Sequence, residues 1–252
     1  SDWEIITSPT DLAGIAVYGE RVFVSDRFEG CIRELHMIAP ITHEFKLGFP
    51  SLDADNSPAD VERVHELNTC VELGRFGAKG SGNGQFTRPT GLTIAGDLLY
   101  VCDTGNCRVQ VFTLDGTWVR SWGSKGVGEG EFKVPHGITV HGEEVYVADG
   151  WNDHVQVFDL DGTFRRTIGS RGTGDGEFRC ANDVFAHNGQ IYVTDFFNHR
   201  VQVFEPNGAF LRSWGTIGCT AGEFGWPSEL CVDGKDRMWV CDTVNHCLKI
   251  FE

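Results

Sequence analysis

The chain has 252 residues, 40% hydrophobic and 12% aromatic, with 32 glycines, a composition that supports a large packed core with many tight turns and excludes wholesale disorder. Its formal charge of −15 weighs against functions whose affinity comes from neutralising many phosphates, because such binding relies on clustered Lys and Arg. Nine cysteines, without a Cys-x-x-Cys pair or a Cys/His set at zinc spacing, announce neither a disulfide framework nor a structural metal, and no apolar run approaches membrane-spanning length. A reducing, cytoplasmic setting without cofactor or membrane contact is the expectation.

In chain order, Trp3-Glu-Ile-Ile-Thr7 has strand character and precedes "VFVSDRFEGCIREL", whose strand ends at Asp26. Residues 38–68 read as an insertion. Within it Ser57, Pro58 and the acids that follow carry the signals of a helix start, so a short helix is expected there. A unit then recurs as "LYVCDTGNCRVQVF" at Asp103, "VYVADGWNDHVQVF" at Asp149, "IYVTDFFNHRVQVF" at Asp195 and "MWVCDTVNHCLKIF" at Asp242, at intervals of 46, 46 and 47 residues. Asp26 lies 77 residues before Asp103 and belongs to a weaker first copy.

Each unit predicts four short antiparallel strands, in the third copy over 137–140, 145–148, 154–158 and 163–168. One such sheet cannot cover its own faces, whereas several arranged radially bury one another's sides, which is the physical logic of an all-β β-propeller. Five blades in one domain are expected, or six if residues 38–76 form a degenerate blade. The last unit stops at Glu252 without a fourth strand, so residues 3–7 are expected to close the ring beside residues 248–251. Trp122, Ile168 and Trp214 fall at matching places in the fourth strands and are candidates for packing between blades.

The segments Asp103-x-x-Asn106, Asp149-x-x-Asn152, Asp195-x-x-Asn198-His199 and Asp242-x-x-Asn245-His246, each preceded upstream by a Gly-rich stretch ending in Phe, resemble the NHL-repeat family. The resemblance covers residues 77–252 strongly and 10–37 weakly. It implies a propeller that serves as a platform for proteins or RNA, often within larger chains.

The glycine-rich stretch Gly126-Val-Gly-Glu-Gly-Glu-Phe132 superficially suggests a phosphate loop, but it runs into a β-branched strand rather than a helix and carries two glutamates. Its relatives at 80–86, 172–178 and 218–224 mark it as architecture. The repeated Asp26, Asp103, Asp149, Asp195 and Asp242 are expected to cap the turns that follow them through their carboxylates, as in Asx-turns. Cysteines on strands are expected to be buried and inert, leaving Cys107 and Cys219, in predicted loops, as the thiols to test.

Starts of the innermost strands place Thr90, His136, Asn182, Asp183, Ser228 and Glu229 around a central channel. A single Pro135-His136 pair falls short of the three ligands a catalytic zinc takes. Asn182, Asp183 and Glu229 would be the ligands if the chain were a calcium-dependent hydrolase of the gluconolactonase type. The turns between second and third strands and the connections between blades are expected to share one face, bearing Arg27, Phe28, Arg88, Lys133, Trp151, Arg179, Phe196, Phe197 and Trp226. Rings and arginines together are the composition of binding hot spots, so a non-enzymatic scaffold that binds a protein or peptide, as a monomer, is the primary expectation, with RNA as the alternative.

Overall fold

In the computed structural model the described residues are 12–37 and 70–252, and they form five antiparallel sheets arranged in chain order. Blade one comprises Leu12–Tyr18, Arg21–Asp26, Cys31–Met37 and Cys70–Phe76; blade two Pro89–Ala95, Leu98–Asp103, Arg108–Thr113 and Trp118–Trp122. Blade three comprises Pro135–His141, Glu144–Asp149, His154–Asp159 and Phe164–Ile168; blade four Ala181–His187, Gln190–Asp195, Arg200–Phe204 and Phe210–Trp214. Blade five has three strands among the described residues, Pro227–Val232, Met238–Asp242 and Cys247–Phe251. The fold is thus the all-β propeller of five blades that the repeat predicts. Cys70–Phe76 is the outer strand of blade one, paired with Cys31–Met37, so this segment does not belong to a separate blade; residues 38–69 lie outside the described residues. The predicted insertion helix and the closing strand at residues 3–7 lie outside the described residues.

Four apolar clusters are each shared between consecutive blades. Tyr100, Val109 and Val111 of blade two meet Ile138, Val145, Val147 and Phe158 of blade three, and comparable sets join the other neighbours from blade one to blade five. The fourth-strand residues take the place expected of them: Trp122 packs on Phe158 at 5.8 Å between ring centroids, Trp214 on Phe251 at 5.8 Å, and Phe76 on Phe112 at 5.3 Å. Gly162 shows why the following turn needs glycine, for it adopts φ +96° and a Cβ there would lie 2.7 Å from the Trp122 ring.

Between blades five and one no such seam exists among the described residues. Ile15 corresponds to Leu92, Ile138, Val184 and Leu230, which are at most 6% exposed, yet it is itself 57% exposed. Val17 is 59% exposed on the same strand. Only the small cluster Val22, Val24 and Leu35 gathers on that side of blade one.

The repeated aspartates are buried, but they work differently from the expectation. In blades two to five the carboxylate takes no backbone N–H from the turn after it, only the side chain of the turn's asparagine, and it reaches back to the connection arriving from the previous blade. Asp103 accepts from the Thr87 amide (2.8 Å), Asn106 Nδ2 (2.8 Å), Arg108 Nε (2.7 Å) and Gln110 Nε2 (3.1 Å). Asp195 repeats this with Arg179, Asn198, Arg200 and Gln202, and Asp242 with Gly225, Asn245 and Lys249. Asp26 alone accepts from the two amides of its own turn, Phe28 and Glu29, and Arg33 adds a buried ion pair. The reason is geometric: the turns after Asp103, Asp149 and Asp195 close as short 3₁₀ segments through their own backbone, which frees the carboxylate for the four or so donors that converge on it.

The same network sets the glycine-rich connections. Asn152 Nδ2 donates to Gly126 O and Gln156 Nε2 to Glu131 O, while the Glu131 carboxylate folds back onto the amides of Val127 and Gly128. The loop is an anion nest filled by its own glutamate, and Glu177 and Gln85 do the same in sister loops. Replacing Asp149 by Ala would leave the Lys133 and Val134 amides and the Asn152 side chain without their acceptor. The expected loss, read from urea unfolding, is about 3 kcal/mol, whereas Asp161→Ala on an exposed turn should leave the urea midpoint nearly unchanged.

Candidate functional site

The turns between second and third strands and the connections between blades share one face because they are hydrogen-bonded to one another. Gly105 N donates to Thr87 O, Gly150 N to Val134 O, Phe197 N to Arg179 O and Val244 N to Gly225 O. Blades two to five therefore each present the tip of the turn beside the residues that precede the inner strand, and side chains at those two places become neighbours.

Of the nine residues expected on this face, Phe196, Phe197 and Trp226 are brought together. Phe196 stacks on Trp226 with centroids 5.5 Å apart and 27° between planes, and Phe197 meets both rings edge-on at 4.9 and 6.0 Å. Phe197 and Trp226 remain 46% and 40% exposed. Trp226 has φ +70°, a left-handed conformation unusual for a bulky residue, and the same place in other connections holds Arg88 at +52° and Cys180 at +66°, so the conformation belongs to the connection rather than to the stack. Beside Phe197 a cleft of about 370 Å³ runs between the turn and the connection of residues 215–217, walled by Phe197 and Ile217, with His199 and Thr173 along it.

Elsewhere on the face ring and cation come in couples. Lys133 Nζ donates to Trp151 O at 3.4 Å, below an indole that is 69% exposed, and Lys79 Nζ sits 4.5 Å from the centre of the Phe28 ring. Arg88 and Arg179 are exposed; Arg27 is half-buried. Lys79 and Ile217 were not among the expected residues. The signal for them was available, since residues 79, 125, 171 and 217 occur at one repeat interval as Lys, Lys, Arg and Ile, and the apolar exception marks the cleft.

The channel set separates into structural and accessible members. Thr90 is buried and is a seam residue, its hydroxyl donating to His136 O and sharing a 2.6 Å bond with Thr104. Asn182 Nδ2 donates to Ser228 O, and the Asp183 carboxylate accepts from Leu230 N at 3.0 Å, so both are committed to joining blades four and five. Ser228 Oγ bonds Glu229, which is exposed. Burial lowers the pKa of His136, with Glu229 opposing and Arg27 and Arg88 reinforcing, which places these four within electrostatic reach at the channel mouth. Among the described residues no three His, Cys, Asp or Glu side chains gather as a metal-binding group. The turn position expected to hold a reactive thiol does not: Cys107 is buried, and desolvation raises its pKa, while Cys219 is exposed as expected.

Asp183 is pushed up to about 7, chiefly by burial between the inner strands and secondarily by Glu229. An acid whose folded pKa exceeds its unfolded value is most compatible with folding while protonated, so that contribution is present below about pH 4 and is lost as pH rises to about 7. Asp183→Asn is therefore expected to raise Tm at pH 8 and leave it unchanged or lower at pH 4; equal shifts at both values would contradict this.

Among the described residues no helix is long and apolar enough to cross a membrane. The NHL repeat matches residues 86–112, 178–204 and 224–251, and a family described as a 6-bladed beta-propeller matches residues 133–187. No curated protein sequence matches the chain. Among solved structures, a virginiamycin B lyase from Staphylococcus aureus is similar over 98% of this chain and 72% of its own, at TM-score 0.58 and 13% identity. A nidogen/laminin complex is similar over 96% and 76%, at 0.63 and 17%, and a glutaminyl cyclase from Myxococcus xanthus over 96% and 92%, at 0.53 and 12%. Identities this low speak to fold alone. Three matched repeats, the Asp-x-x-Asn network that they encode and the radial blades together make the chain an NHL-repeat β-propeller.

Proposed function

We propose that the chain is a non-enzymatic binding module that takes a protein or peptide on the face built from its turns and connections. The observation that carries this reading is the stack of Phe196, Phe197 and Trp226, which leaves two large rings exposed beside a cleft although the blade cores hold aromatics of their own. Exposed rings rimmed by Arg and Lys have the make-up of interface hot spots.

Structures of this shape include a lyase, a cyclase and a nidogen/laminin complex, so shape leaves several chemistries open. A calcium-dependent hydrolase is less well supported by the channel residues, since Asn182 and Asp183 are spent on bonds between blades. RNA is the second reading, favoured by the exposed rings as stacking platforms and opposed by the charge of −15.

The test compares the chain with its Phe197→Ala/Trp226→Ala variant in affinity capture from cell lysate and in binding of single-stranded RNA at low and moderate salt, with thermal melting as the check on folding. A protein partner captured at least about tenfold less by the variant, a loss of about 1.4 kcal/mol, is expected. Equal capture by both proteins, or tight salt-sensitive RNA binding without a protein partner, would reverse the reading.

A further inference from the structure

We propose that the ligand of this face is an acidic peptide carrying an aromatic or large aliphatic anchor. The proposal rests on the peptide-binding reading above and adds the chemistry of what is bound.

The charge argument begins with where the cations are spent. Away from this face the described arginines are largely held by carboxylates, as in Arg21–Glu34, Arg108–Asp103, Arg166–Glu144 and Arg237–Asp233. Arg88 and Arg179 are exposed, and their guanidinium groups have no acid or carbonyl partner among the described residues. Lys133, between them in blade order, reaches only the Trp151 carbonyl. An acidic chain that leaves these cations unpaired on consecutive connections presents a local positive strip.

The nearest acids in the same connections do not cancel that strip by pairing with it. Glu131, Glu177 and Glu223 turn into their own loops, where the amides of Gly128, Gly174 and Thr220 hold them at 2.8–3.0 Å. Asp149 and Asp195 are buried and spent on the connection backbones. Carboxylates from a ligand are thus the groups that would complete Arg88, Lys133 and Arg179, with arginine offering the bidentate geometry that carboxylates prefer.

The anchor argument comes from the cleft. At the interval of one repeat, Lys125 and Arg171 give way to Ile217, which is 73% exposed and lines the same cleft as Phe197. Phe197 N is bonded to Arg179 O at 3.0 Å, so the cleft adjoins the end of the cationic strip. A side chain entering between Phe197 and Ile217 would cover both, while preceding or following carboxylates run toward Arg179 and Lys133. A polynucleotide shares the negative charge but extends well past the strip, where the chain's −15 repels it, whereas three or four carboxylates act within a Debye length of the cations.

The experiment is selection of random 12-residue peptides displayed on phage against the folded chain, followed by fluorescence anisotropy with the best synthetic peptide and with a 12-mer of oligouridylate. Enriched peptides are expected to carry three or more Asp or Glu near a Trp, Phe, Leu or Met. Their affinity should fall at least about tenfold in Arg88→Ala/Arg179→Ala, and similarly in Phe197→Ala/Ile217→Ser, with both variants retaining the parent melting temperature within a few degrees. Binding should also weaken when salt rises. Peptides lost by the Phe197/Ile217 variant but neutral or basic, or indifferent to Arg88 and Arg179, would overturn the acidic ligand and leave the peptide site standing. Peptides retained by both variants, no enrichment, or oligouridylate binding more tightly than the best peptide would overturn both.

Discussion

A carboxylate buried at the end of each second strand is the interaction on which the rest of this propeller depends. Removing such a charge from water is costly, and burial raises the pKa of Asp149 and Asp195 accordingly. Backbone amides, an asparagine and usually a cation or glutamine offset that cost. Because the amides belong to the connection from the previous blade, satisfying the carboxylate fixes that connection against the blade it enters. The positions of Lys133, Arg179 and Trp226 on the binding face therefore follow from a charge placed in the interior.

The seams add a second layer. Ser25 and Thr194 sit one residue before the buried Asp, and each takes an inner-strand amide while donating to a carbonyl of the next blade. At the opposite end, Arg21, Arg120 and Arg166 each reach a carbonyl of the following blade at Leu114, Leu160 and Pro206. Ring packing lies between. Polar groups at one or both ends and apolar rings in the middle hold consecutive blades from one to five in one relative position, which is why the order of side chains around the face is fixed by sequence order.

Much of this was legible in the sequence. Intervals of 46, 46 and 47 residues mark the blades from Asp103 onward, and strand spans in blade three agree with expectation to within two residues, because alternation and turn glycines are local signals. Trp122, Ile168 and Trp214 were readable as seam residues from their shared place in the repeat. The destination of the Asp carboxylates was not readable: an Asp before a turn looks the same whether it bonds forward or back, and only the path of the preceding connection decides. The stack of Phe196 on Trp226 was hidden for a similar reason, since it depends on a left-handed backbone that nothing in a Trp-Pro pair announces. Thr90 was misplaced in the channel because strand alternation does not say how closely neighbouring inner strands approach, and here they come near enough to take its hydroxyl into the seam.

That close approach appears again at Gly14, Gly91 and Gly137, where a Cβ would run into the neighbouring inner strand, two of them against a carbonyl and the third against Asp183. The series then changes, for the same step of the repeat is Asp183 in blade four and Glu229 in blade five. Around one axis the wall thus passes from bare main chain to one exposed carboxylate, Glu229, while Asp183 is spent on the seam between blades four and five, an asymmetry that a ring of identical units could not have. Repetition sets the curvature of such a tube, and small departures within it are enough to give the axis a polarity.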